Sequence, residues 1–323
     1  MINAKITAVS SYVPDQVVPN QWFTETMDTS DEWIVSRTGI RERRFSAPDQ
    51  FTSDLAIKAV ENLLVQNPEA GTDNIDFIIV ATTTADQVMP NTASRVQHHF
   101  KINNCGCIDV MAACAGFVYG IILAKGLIAS GTHRKVLVIG AETLSKFTDY
   151  SDRSSCVLFG DGAGAGLVEV SEKAGIFKGV SGTDGSHGHD LYLSQNNAVI
   201  NGGPVAANGK IHQNGKVVFK WAVQHMSQKL LELMEINRML PDELDWVILH
   251  SANMRIIEAV AAATGFPLSR MLTSIELYGN TSAASIPLAW DLAVRSGKLK
   301  KGDKALLLGF GGGLTYAGVI IEV

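Results

Sequence analysis

The sequence predicts an α/β protein made of two similar halves, and three observations support this fold class. Short apolar runs typical of buried strands alternate with helical segments along the whole chain. Residues 73–81 (DNIDFIIVA) resemble residues 242–250 (DELDWVILH), which lie 169 positions later. The same offset relates two further pairs of segments: 134–140 with 303–309, and 114–124 with 283–293. Because three pairs share one offset of about half the chain, we expect an internal duplication around a pseudo-twofold axis.

In the first half, residues 1–172, we expect three strands and one apolar helix. Residues 76–84 and 135–140 are nearly continuous apolar runs, which is typical of strands covered on both faces. A further strand is predicted over residues 157–168. Residues 114–130 are predicted to be an apolar helix, which the duplication would place in the buried centre of the molecule.

The second half, residues 173–323, repeats this alternation. Its predicted elements are helices at 216–236 and 282–294 and strands at 245–250, 304–310 and 314–322. Residues 181–215 are polar and rich in glycine and asparagine. This stretch is therefore predicted to be an irregular excursion.

Composition and charge exclude several classes of protein. Of the 323 residues, 46% are hydrophobic and 18% are charged, and the formal net charge is −5. This charge gives no attraction to nucleic acid or to anionic membranes, so neither is an expected partner. The N-terminus lacks a signal-peptide pattern, and the apolar stretch 305–321 contains five glycines, which favours two strands over a membrane span. We therefore expect a cytoplasmic protein.

The four cysteines predict neither disulfides nor a metal site. They form no CxxC pair and no zinc-like spacing with histidine. Three of them are interpreted as small buried hydrophobic residues: Cys105, Cys107 and Cys156. Cys114 differs, because it lies among small residues between a predicted strand and a helix. Its equivalent in the second half is Ala283, so the fold itself does not require a thiol there.

Cys114 has a chemical explanation and a structural one. The N-terminus of a helix favours the thiolate, and small neighbours let a thioester approach the sulfur, as in a nucleophile elbow. A buried structural cysteine explains the same position equally well when this feature is taken alone.

Two polar residues of the second half are expected near Cys114. His250 ends the strand predicted at 245–250, at the edge where open α/β sheets bind ligands. Asn280 precedes the second small-residue helix, at a turn equivalent to that of Cys114. Taken singly, His250 is also explained as a core histidine and Asn280 as a helix cap. Together, a thiol, an imidazole and an amide form a set suited to covalent acyl transfer.

The glycine-rich run 309–318 (GFGGGLTYAG) is not a nucleotide-binding motif, because no Lys-Ser/Thr pair and no helix follow it. The run 160–166 (GDGAGAG) leads into a strand in the same way. Both are interpreted as close-packed strand turns, and the first could present backbone N–H groups to an oxyanion.

Six motifs, in this order and spacing, carry a resemblance to a known family: TSDEWIVSRTGIRERR (29–44), DVMAACAGF, DRSSCVLFGDGAGA (152–165), HSANMRII, YGNTSAASIPLA and FGGGLTYAG. They resemble those of the bacterial β-ketoacyl-acyl carrier protein synthase III enzymes of the thiolase fold, over essentially the whole chain. The resemblance implies two pseudo-repeated halves in a five-layered αβαβα sandwich and a homodimer.

The resemblance also implies a decarboxylative condensation that initiates fatty acid synthesis. Cys114, His250 and Asn280 are the implied catalytic residues, and the backbone N–H groups of Cys114 and Gly312 are the implied oxyanion hole. Cys114 takes an acyl group from acyl-CoA, and the other two stabilise the enolate formed from malonyl-acyl carrier protein. Acyl-CoA and the acyl carrier protein are the implied substrate and partner, and no metal or other cofactor is implied.

Five residues are implied in binding coenzyme A and its pantetheine arm. Trp33 and Arg153 would stack on the adenine and Arg37 would reach the phosphates, whereas Thr29 and Asn253 would line the pantetheine tunnel. Trp33 also has a simpler explanation, as a packing residue of an amphipathic helix.

Two departures from the family pattern suggest specific properties. Met89 stands where many members have a Phe that caps the partner's acyl pocket, so we expect primers longer than acetyl to be accepted. Near the tunnel mouth, Arg255 and Lys220 are present, but lysines common in the family near Ala262 and Ala263 are absent. The carrier protein is therefore expected to dock at this face more weakly or to be a particular partner.

Several alternatives stay open from the sequence. They are a specialised secondary-metabolism ketosynthase of the same fold, a thiol hydrolase that transfers the acyl group to water, and a non-catalytic partner subunit. Asn280 argues against the hydroxymethylglutaryl-CoA synthases, which use Glu, and the N-terminal motif argues against chalcone-synthase-like enzymes. The complete Cys-His-Asn set argues against a silent subunit.

Overall fold

The computed structural model describes residues 2–323 and contains two five-stranded mixed sheets. The strands of the first half are β1 (Asn3–Tyr12), β2 (Gln16–Pro19), β3 (Glu42–Phe45), β4 (Phe77–Ala81), β5 (Gly106–Val110), β6 (Lys135–Thr143) and β7 (Asp161–Ser171). Its helices are α1 (Gln21–Thr24), α2 (Asp31–Thr38), α3 (Thr52–Gln66), α4 (Thr92–Phe100) and α5 (Gly116–Ala129).

The second half contains the remaining elements. Its strands are β8 (Ile176–Thr183), β9 (Leu191–Leu193), β10 (Val199–Ile200), β11 (Gly203–Pro204), β12 (Ile211–Gln213), β13 (Trp246–Leu249), β14 (Met271–Leu272), β15 (Lys304–Gly311) and β16 (Thr315–Glu322). Its helices are α6 (Gly215–Ile236), α7 (Met254–Thr264), α8 (Ile275–Tyr278) and α9 (Ser285–Arg295).

The two large sheets have the same topology. The first has the order β1-β7-β6-β4-β5, and the second has the order β8-β16-β15-β13-β14. β4 is parallel to β5 and β6, as β13 is to β14 and β15, and the other pairs are antiparallel. The offset of 169 residues carries the start of β4 onto β13, of β6 onto β15 and of α5 onto α9. The predicted duplication is therefore confirmed.

Helices and sheets alternate in five layers, also as predicted. Ile121 of α5 and Trp290 of α9 belong to one buried cluster with Val138 of the first sheet and Leu307 of the second, so these two helices form the central layer. α3 and α4 cover the outer face of the first sheet, and α6 and α7 cover that of the second. α5 is mostly apolar because each of the two sheets covers one side of it, whereas Leu123 and Gly126 on a third side are exposed.

Some predicted elements have different ends in the structure. The strand predicted at 76–84 ends at Ala81, because the next three residues, Thr82–Thr84, donate hydrogen bonds to the side chain of Glu142. The strand predicted at 157–168 begins only at Asp161, because residues 158–160 pair with the backbone of Asn280. The helices predicted from 114 and 282 begin two and three residues later, each after a single 3₁₀ turn.

The segment between β8 and α6 is irregular, as expected. It carries one 3₁₀ turn, Gly185–His187, and the strands β9–β12, which are two or three residues long. β7, the last strand of the first large sheet along the chain, ends at Ser171, and β8, the first strand of the second sheet, begins at Ile176. The boundary predicted near residue 172 lies between these two strands. That the two halves are separate domains stays a prediction. Across residues 2–323, no helix combines the length and the apolarity needed to cross a bilayer.

Candidate active site

Cys114 lies in a tight turn between β5 and α5. The turn is a 3₁₀ helix over Ala113–Ala115. Ala113 has a backbone φ of 46°, in the left-handed region that residues other than glycine rarely adopt. Such a conformation costs about 1–3 kcal/mol and is concentrated at functional sites. The turn thus presents Cys114 in the strained manner of a nucleophile elbow.

Glycines let β15 of the second half lie directly against this turn. A Cβ on Gly309 would be 2.8 Å from the Cα of Ala115, and a Cβ on Gly311 would be 2.6 Å from the backbone N of Cys114. A side chain at either position would therefore collide with backbone. The structure agrees with the interpretation of the run 309–318 as a close-packed strand turn.

One cavity contains the residues that the sequence analysis singled out. It has a volume of about 300 Å³, and its wall includes Cys114, His250, Asn280 and Gly312. Cys114 comes from the first half and the other three from the second. The cavity therefore lies where the two halves meet, and the catalytic roles of these residues stay predictions.

His250 follows β13 and is 2% exposed. Its Nδ1 lies 2.7 Å from the Oγ of Ser285, and its ring packs edge-on against Phe310. Burial lowers the pKa of His250 to about 3. The imidazole is therefore neutral at physiological pH, with one nitrogen bonded to Ser285 and the other available to the cavity.

Asn280 lies at the start of the second small-residue turn and is held by its backbone and its side chain. Its N–H donates to Leu158 O at 2.8 Å, and its O accepts from Gly160 N at 3.0 Å. Its Oδ1 accepts from Ser282 N at 2.9 Å. Because Oδ1 is occupied, the Nδ2 group is the part of the amide left to donate to a ligand.

The protonation state of Cys114 differs from the sequence expectation. Burial raises the pKa of its thiol to about 12; a hydrogen bond with Ser282 opposes this rise, and the charge of Glu142 adds to it. The helix N-terminus was expected to favour the thiolate, but Cys114 lies in the 3₁₀ turn before α5 and burial outweighs that effect. The resting residue is a thiol, so its reaction has to remove a proton.

Glu142 was missed by the sequence analysis. It lies on β6 with no exposed surface and accepts hydrogen bonds from three consecutive threonines and from Ser282. Burial raises its pKa, and these hydrogen bonds act in the opposite direction. The sequence does contain one indication of this buried carboxyl group: Glu142 is an acidic residue inside the otherwise apolar strand sequence KVLVIGAET.

Part of the cavity wall comes from the irregular excursion, which the sequence analysis did not connect with the site. Leu191 and Leu193 of β9 and Ile211 of β12 line it, together with Tyr192. The Tyr192 ring stacks on that of His212 across these paired strands. The sequence feature that could have indicated this contact is the apolar triplet Leu-Tyr-Leu, residues 191–193, within an otherwise polar stretch.

The residues implied in coenzyme A binding lie outside the cavity that holds Cys114. The Arg153 guanidinium lies 4.9 Å from the centre of the Trp33 ring, so the two stack on each other and leave no space for a base between them. Arg37 is exposed in the last turn of α2, and Thr29 is part-buried just before that helix. Asn253 caps α7, because its Oδ1 accepts a hydrogen bond from the backbone N–H of Arg255.

Three further predicted residues are solvent-exposed. Met89 is 85% exposed and does not line the cavity. Arg255 lies on α7 and Lys220 on the neighbouring helix α6, and both are exposed. Arg255 also lies over the ring of Phe219, 5.9 Å from its centre. Their binding roles stay predictions.

Two family models match the chain. The model for 3-oxoacyl-[acyl-carrier-protein (ACP)] synthase III matches residues 108–185, and the model for the C-terminal part of these proteins matches residues 234–323. The first range contains Cys114, and the second contains His250, Asn280 and Gly312.

Relatives and solved structures are similar over the full length. The chain is 51% identical to a β-ketoacyl-[acyl-carrier-protein] synthase III 2 of Bacillus subtilis, covering 100% of this chain and 99% of the relative. It is 50% identical to the protein of the same name from Halalkalibacterium halodurans, covering 99% and 96%. The crystal structure of β-ketoacyl-[acyl carrier protein] synthase III from Thermus thermophilus matches with a TM-score of 0.95 and 42% identity, covering 99% of each chain.

Proposed function

The chain belongs to the 3-oxoacyl-[acyl-carrier-protein] synthase III family, and we propose that Cys114, His250 and Asn280 carry out its condensation reaction. It is an acyltransferase of the condensing type. The proposed substrates are an acyl-CoA primer and malonyl-acyl carrier protein, and the chemistry calls for no metal or redox cofactor. The observation that carries the assignment of residues is the single cavity whose wall they share.

In the first half-reaction, the sulfur of Cys114 attacks the thioester carbonyl of acyl-CoA. A new sulfur–carbon bond forms, the bond to the CoA sulfur breaks, and the acyl group is held on the enzyme. The backbone N–H groups of Cys114 and Gly312 stabilise the oxyanion of the tetrahedral intermediate. Their position on one cavity wall, and the close packing of Gly311 on the Cys114 nitrogen, support this assignment.

In the second half-reaction, malonyl-acyl carrier protein loses CO₂ and its carbanion attacks the acyl group on Cys114. Nε2 of His250 and Nδ2 of Asn280 donate to the malonyl thioester oxygen and stabilise the enolate. This role requires the ring proton on Nε2, so the Ser285 hydroxyl, which lies 2.7 Å from Nδ1 of His250, is proposed to donate to Nδ1. The neutral ring and the occupied Oδ1 of Asn280 both support these donor roles.

Intact mass spectrometry after incubation with acyl-CoA tests these roles. The wild type should gain the mass of the acyl group, and C114A should gain none. H250A and N280A should be acylated but should release little CO₂ from malonyl-acyl carrier protein. Acylation of C114A, or normal CO₂ release by both other variants, would contradict the assignment.

The nucleotide end of coenzyme A is proposed to bind between Trp33 and Arg153, with Arg37 at its phosphates and Thr29 and Asn253 along the pantetheine arm. Because Trp33 and Arg153 stack on each other, the adenine has to separate them. W33A should therefore raise the KM for acyl-CoA and leave the KM for malonyl-acyl carrier protein unchanged, since the carrier has no adenine.

We also propose a homodimer formed through the edge of the first sheet. β5 is the last strand of that sheet, and its outer edge has no partner within residues 2–323. The side chains around it are apolar and exposed: Val88 at 97%, Met89 at 85% and Met111 at 83%. A second copy pairing along β5 would cover this surface. Sedimentation should give a dimer, and I108K, at the centre of β5, should give a monomer.

Met89 is proposed to line the acyl pocket of the partner subunit and to admit primers longer than acetyl. Its exposure on the apolar surface beside β5 supports a place in the interface. Turnover with acetyl-, butyryl-, hexanoyl- and octanoyl-CoA tests the proposal, and M89F should shift the preference towards acetyl. A sharp preference for acetyl in the wild type would contradict it.

The acidic carrier protein is proposed to dock on the exposed cations Arg255 and Lys220 of the adjacent helices α7 and α6. R255A should raise the KM for malonyl-acyl carrier protein and spare that for acyl-CoA, because only the carrier reaches this face. Equal effects on both substrates would argue against this docking face.

A further inference from the structure

A buried arginine ends the motif at residues 29–44 and has no part in the proposed mechanism. Arg43 of β3 has no exposed surface, and its guanidinium carbon lies 4.6 Å from the centre of the Phe23 ring. It donates hydrogen bonds to Val18 O (3.1 Å), Asn20 Oδ1 (2.8 Å) and Val157 O (2.8 Å). These acceptors are neutral, and among residues 2–323 no carboxylate bonds to it. Because burying a cation without a counter-charge costs free energy, the segments that Arg43 contacts indicate what it is needed for.

One of these contacts leads to Asn280. Residues 157–160 of the first half hold the backbone of Asn280 through two hydrogen bonds. Asn280 N donates to Leu158 O at 2.8 Å, and Gly160 N donates to Asn280 O at 3.0 Å. Because Asn280 belongs to the second half, this segment fixes where its amide lies relative to the first half, which carries the thiol. Arg43 bonds to the first residue of the segment.

The side-chain stem of Arg43 packs against the same junction. A Cβ on Gly279, the residue before Asn280, would lie 3.3 Å from the Cβ of Arg43. A Cβ on Gly160, which donates to Asn280, would lie 3.0 Å from the same atom. The stem of Arg43 therefore lies close to both segments that meet at Asn280, and its guanidinium holds Val157 O. Two parts of one side chain thus support the backbone of Asn280.

We propose that Arg43 is a positioning residue for Asn280 in the decarboxylation of malonyl-acyl carrier protein. By holding residues 157–160, it keeps the Asn280 amide where Nδ2 can donate to the malonyl thioester oxygen. Arg43 does not line the cavity, so it acts through Asn280 and not on the substrate. Burial lowers the pKa of Arg43 to about 10, which leaves the guanidinium charged at pH 7. The inference rests on the proposed role of Asn280, and it gives Arg43 no part in the acylation of Cys114.

Two variants of Arg43 and one matched control test this role. R43M fills much of the space with a flexible apolar chain but donates no hydrogen bond. R43K keeps the charge and an ammonium donor but loses the planar fork that reaches several acceptors at once. The control is R41Q, because Arg41 lies two residues earlier and pairs with Glu276 at 2.7 Å. The Arg41 side chain is 65% exposed, so its loss should leave the Asn280 backbone in place.

Two half-reactions are measured on each preparation: the single-turnover release of CoA from acyl-CoA, and the release of CO₂ from malonyl-acyl carrier protein per acylated enzyme. Acyl-CoA is kept saturating, because Arg43 also bonds to Asn20, which donates to Asp31 of α2. R43M should be acylated within about threefold of the wild-type rate. Its decarboxylation should be slower by about 10-fold to 10²-fold, because a donor displaced by about 1 Å loses that much. R43K should lie between R43M and the wild type, and R41Q should stay within about twofold in both half-reactions.

A double variant separates positioning of Asn280 from any other role. Decarboxylation by R43M/N280A should be no slower than by N280A alone, because the residue through which Arg43 acts is already gone. A further loss by the factor seen for R43M alone would overturn the proposal.

Two other outcomes would also overturn it. One is decarboxylation by R43M at the wild-type rate, and the other is an equal loss of both half-reactions, which is a general structural effect. If R43M does not fold, R43K and R43K/N280A decide in the same way. Decarboxylation by N280A at the wild-type rate would instead contradict the proposed function.

Discussion

The two turns at the centre of the molecule share a backbone and differ in chemistry. Each is a 3₁₀ turn leading into a central helix, over Ala113–Ala115 in one half and Ser282–Ala284 in the other. Each begins with a left-handed residue, with a φ of 46° at Ala113 and 48° at Ser282. Each is packed against a glycine of the opposite half: a Cβ on Gly140 would be 2.3 Å from Ala283 O, and one on Gly309 would be 3.0 Å from Cys114 O.

The reactive groups are distributed unevenly over this common backbone. At the offset of 169 residues, each has an apolar or glycine counterpart: Cys114 with Ala283, His250 with Ala81, Asn280 with Met111, and Glu142 with Gly311. The fold therefore needs the conformation of the turns and the glycines beneath them, whereas the chemistry needs only one thiol. The predictions below test this separation of scaffold from chemistry.

The largest expected effect is the loss of activity in C114A without loss of the fold. Alanine already occupies the equivalent position 283, so the turn should accept it. Turnover should fall by at least about 10⁴-fold, because the proposed nucleophile is gone. The midpoint of thermal unfolding should move by no more than a few degrees. C107A is the control, since it removes another thiol and should keep activity; a large loss of stability in C114A would refute the separation.

A methyl group beneath either turn should destabilise the protein by about 3 kcal/mol, because it meets backbone that cannot move aside. G309A places it 2.8 Å from the Cα of Ala115, and G140A places it 2.3 Å from the O of Ala283. Urea unfolding should show similar losses for both. Acylation should fall much more in G309A, since this variant displaces the nucleophile; equal losses in acylation would mean that both turns position the reactive sulfur.

A smaller effect is the dependence of stability on pH that His250 introduces. Its pKa is lowered from 6.5 to about 3 in the folded protein, so below pH 6.5 the unfolded chain binds a proton that the folded chain does not. Stability should therefore fall as the pH falls from 6.5 towards 3. Relative to H250N, which does not titrate, the wild type should lose about 2 kcal/mol between pH 7 and pH 5 in urea unfolding. Parallel curves for the two proteins would contradict the neutral state of His250.

The smallest effect concerns the central helices themselves. Gly126 of α5 has nothing within 4 Å of a built Cβ, and its counterpart in α9 is Arg295. G126A should stabilise the protein by about 0.5–1 kcal/mol, because alanine loses less entropy in a helix than glycine does. G120A is the matched control, since its methyl group would lie 2.6 Å from Val138 Cγ1. It should destabilise, and a gain of stability in G120A would show that α5 is not packed closely on β6.

Local patterns in the sequence were enough to predict the duplication and the two turns. The apolar strands and small-residue helices repeat with one offset, and the strands and helices of the structure keep that offset. Cys114, His250 and Asn280 were predicted as site residues because each stands at the end of such an element, and the structure brings all three to one cavity. Gly312 and the coenzyme-binding residues came from the resemblance of motifs, which local patterns alone do not supply.

What the sequence did not reveal depends on contacts between distant segments. The strand predicted to reach residue 84 stops at Ala81, because Glu142, about 60 residues later, draws the threonines to itself. The partner of His250, which follows strand β13, is Ser285 at the start of helix α9, 35 residues later in the chain. The thiolate expected at Cys114 assumed a solvent-accessible helix end, and burial by residues of both halves reverses that expectation.

The glycines beneath the two turns also restrict how the molecule can move. At Gly140 and Gly309 the backbone of one half lies directly against the backbone of the other. No side chain lies between them at these points, so the halves have little room to slide past each other. We therefore expect the halves to behave as one rigid body, without a hinge that opens the cavity. We expect the acyl group of the proposed substrate to pass the short strands β9 and β12, whose Leu191, Tyr192 and Ile211 line the cavity. We therefore expect the exchange of the cavity contents to depend on small movements of these two short strands and not on a motion of one half against the other.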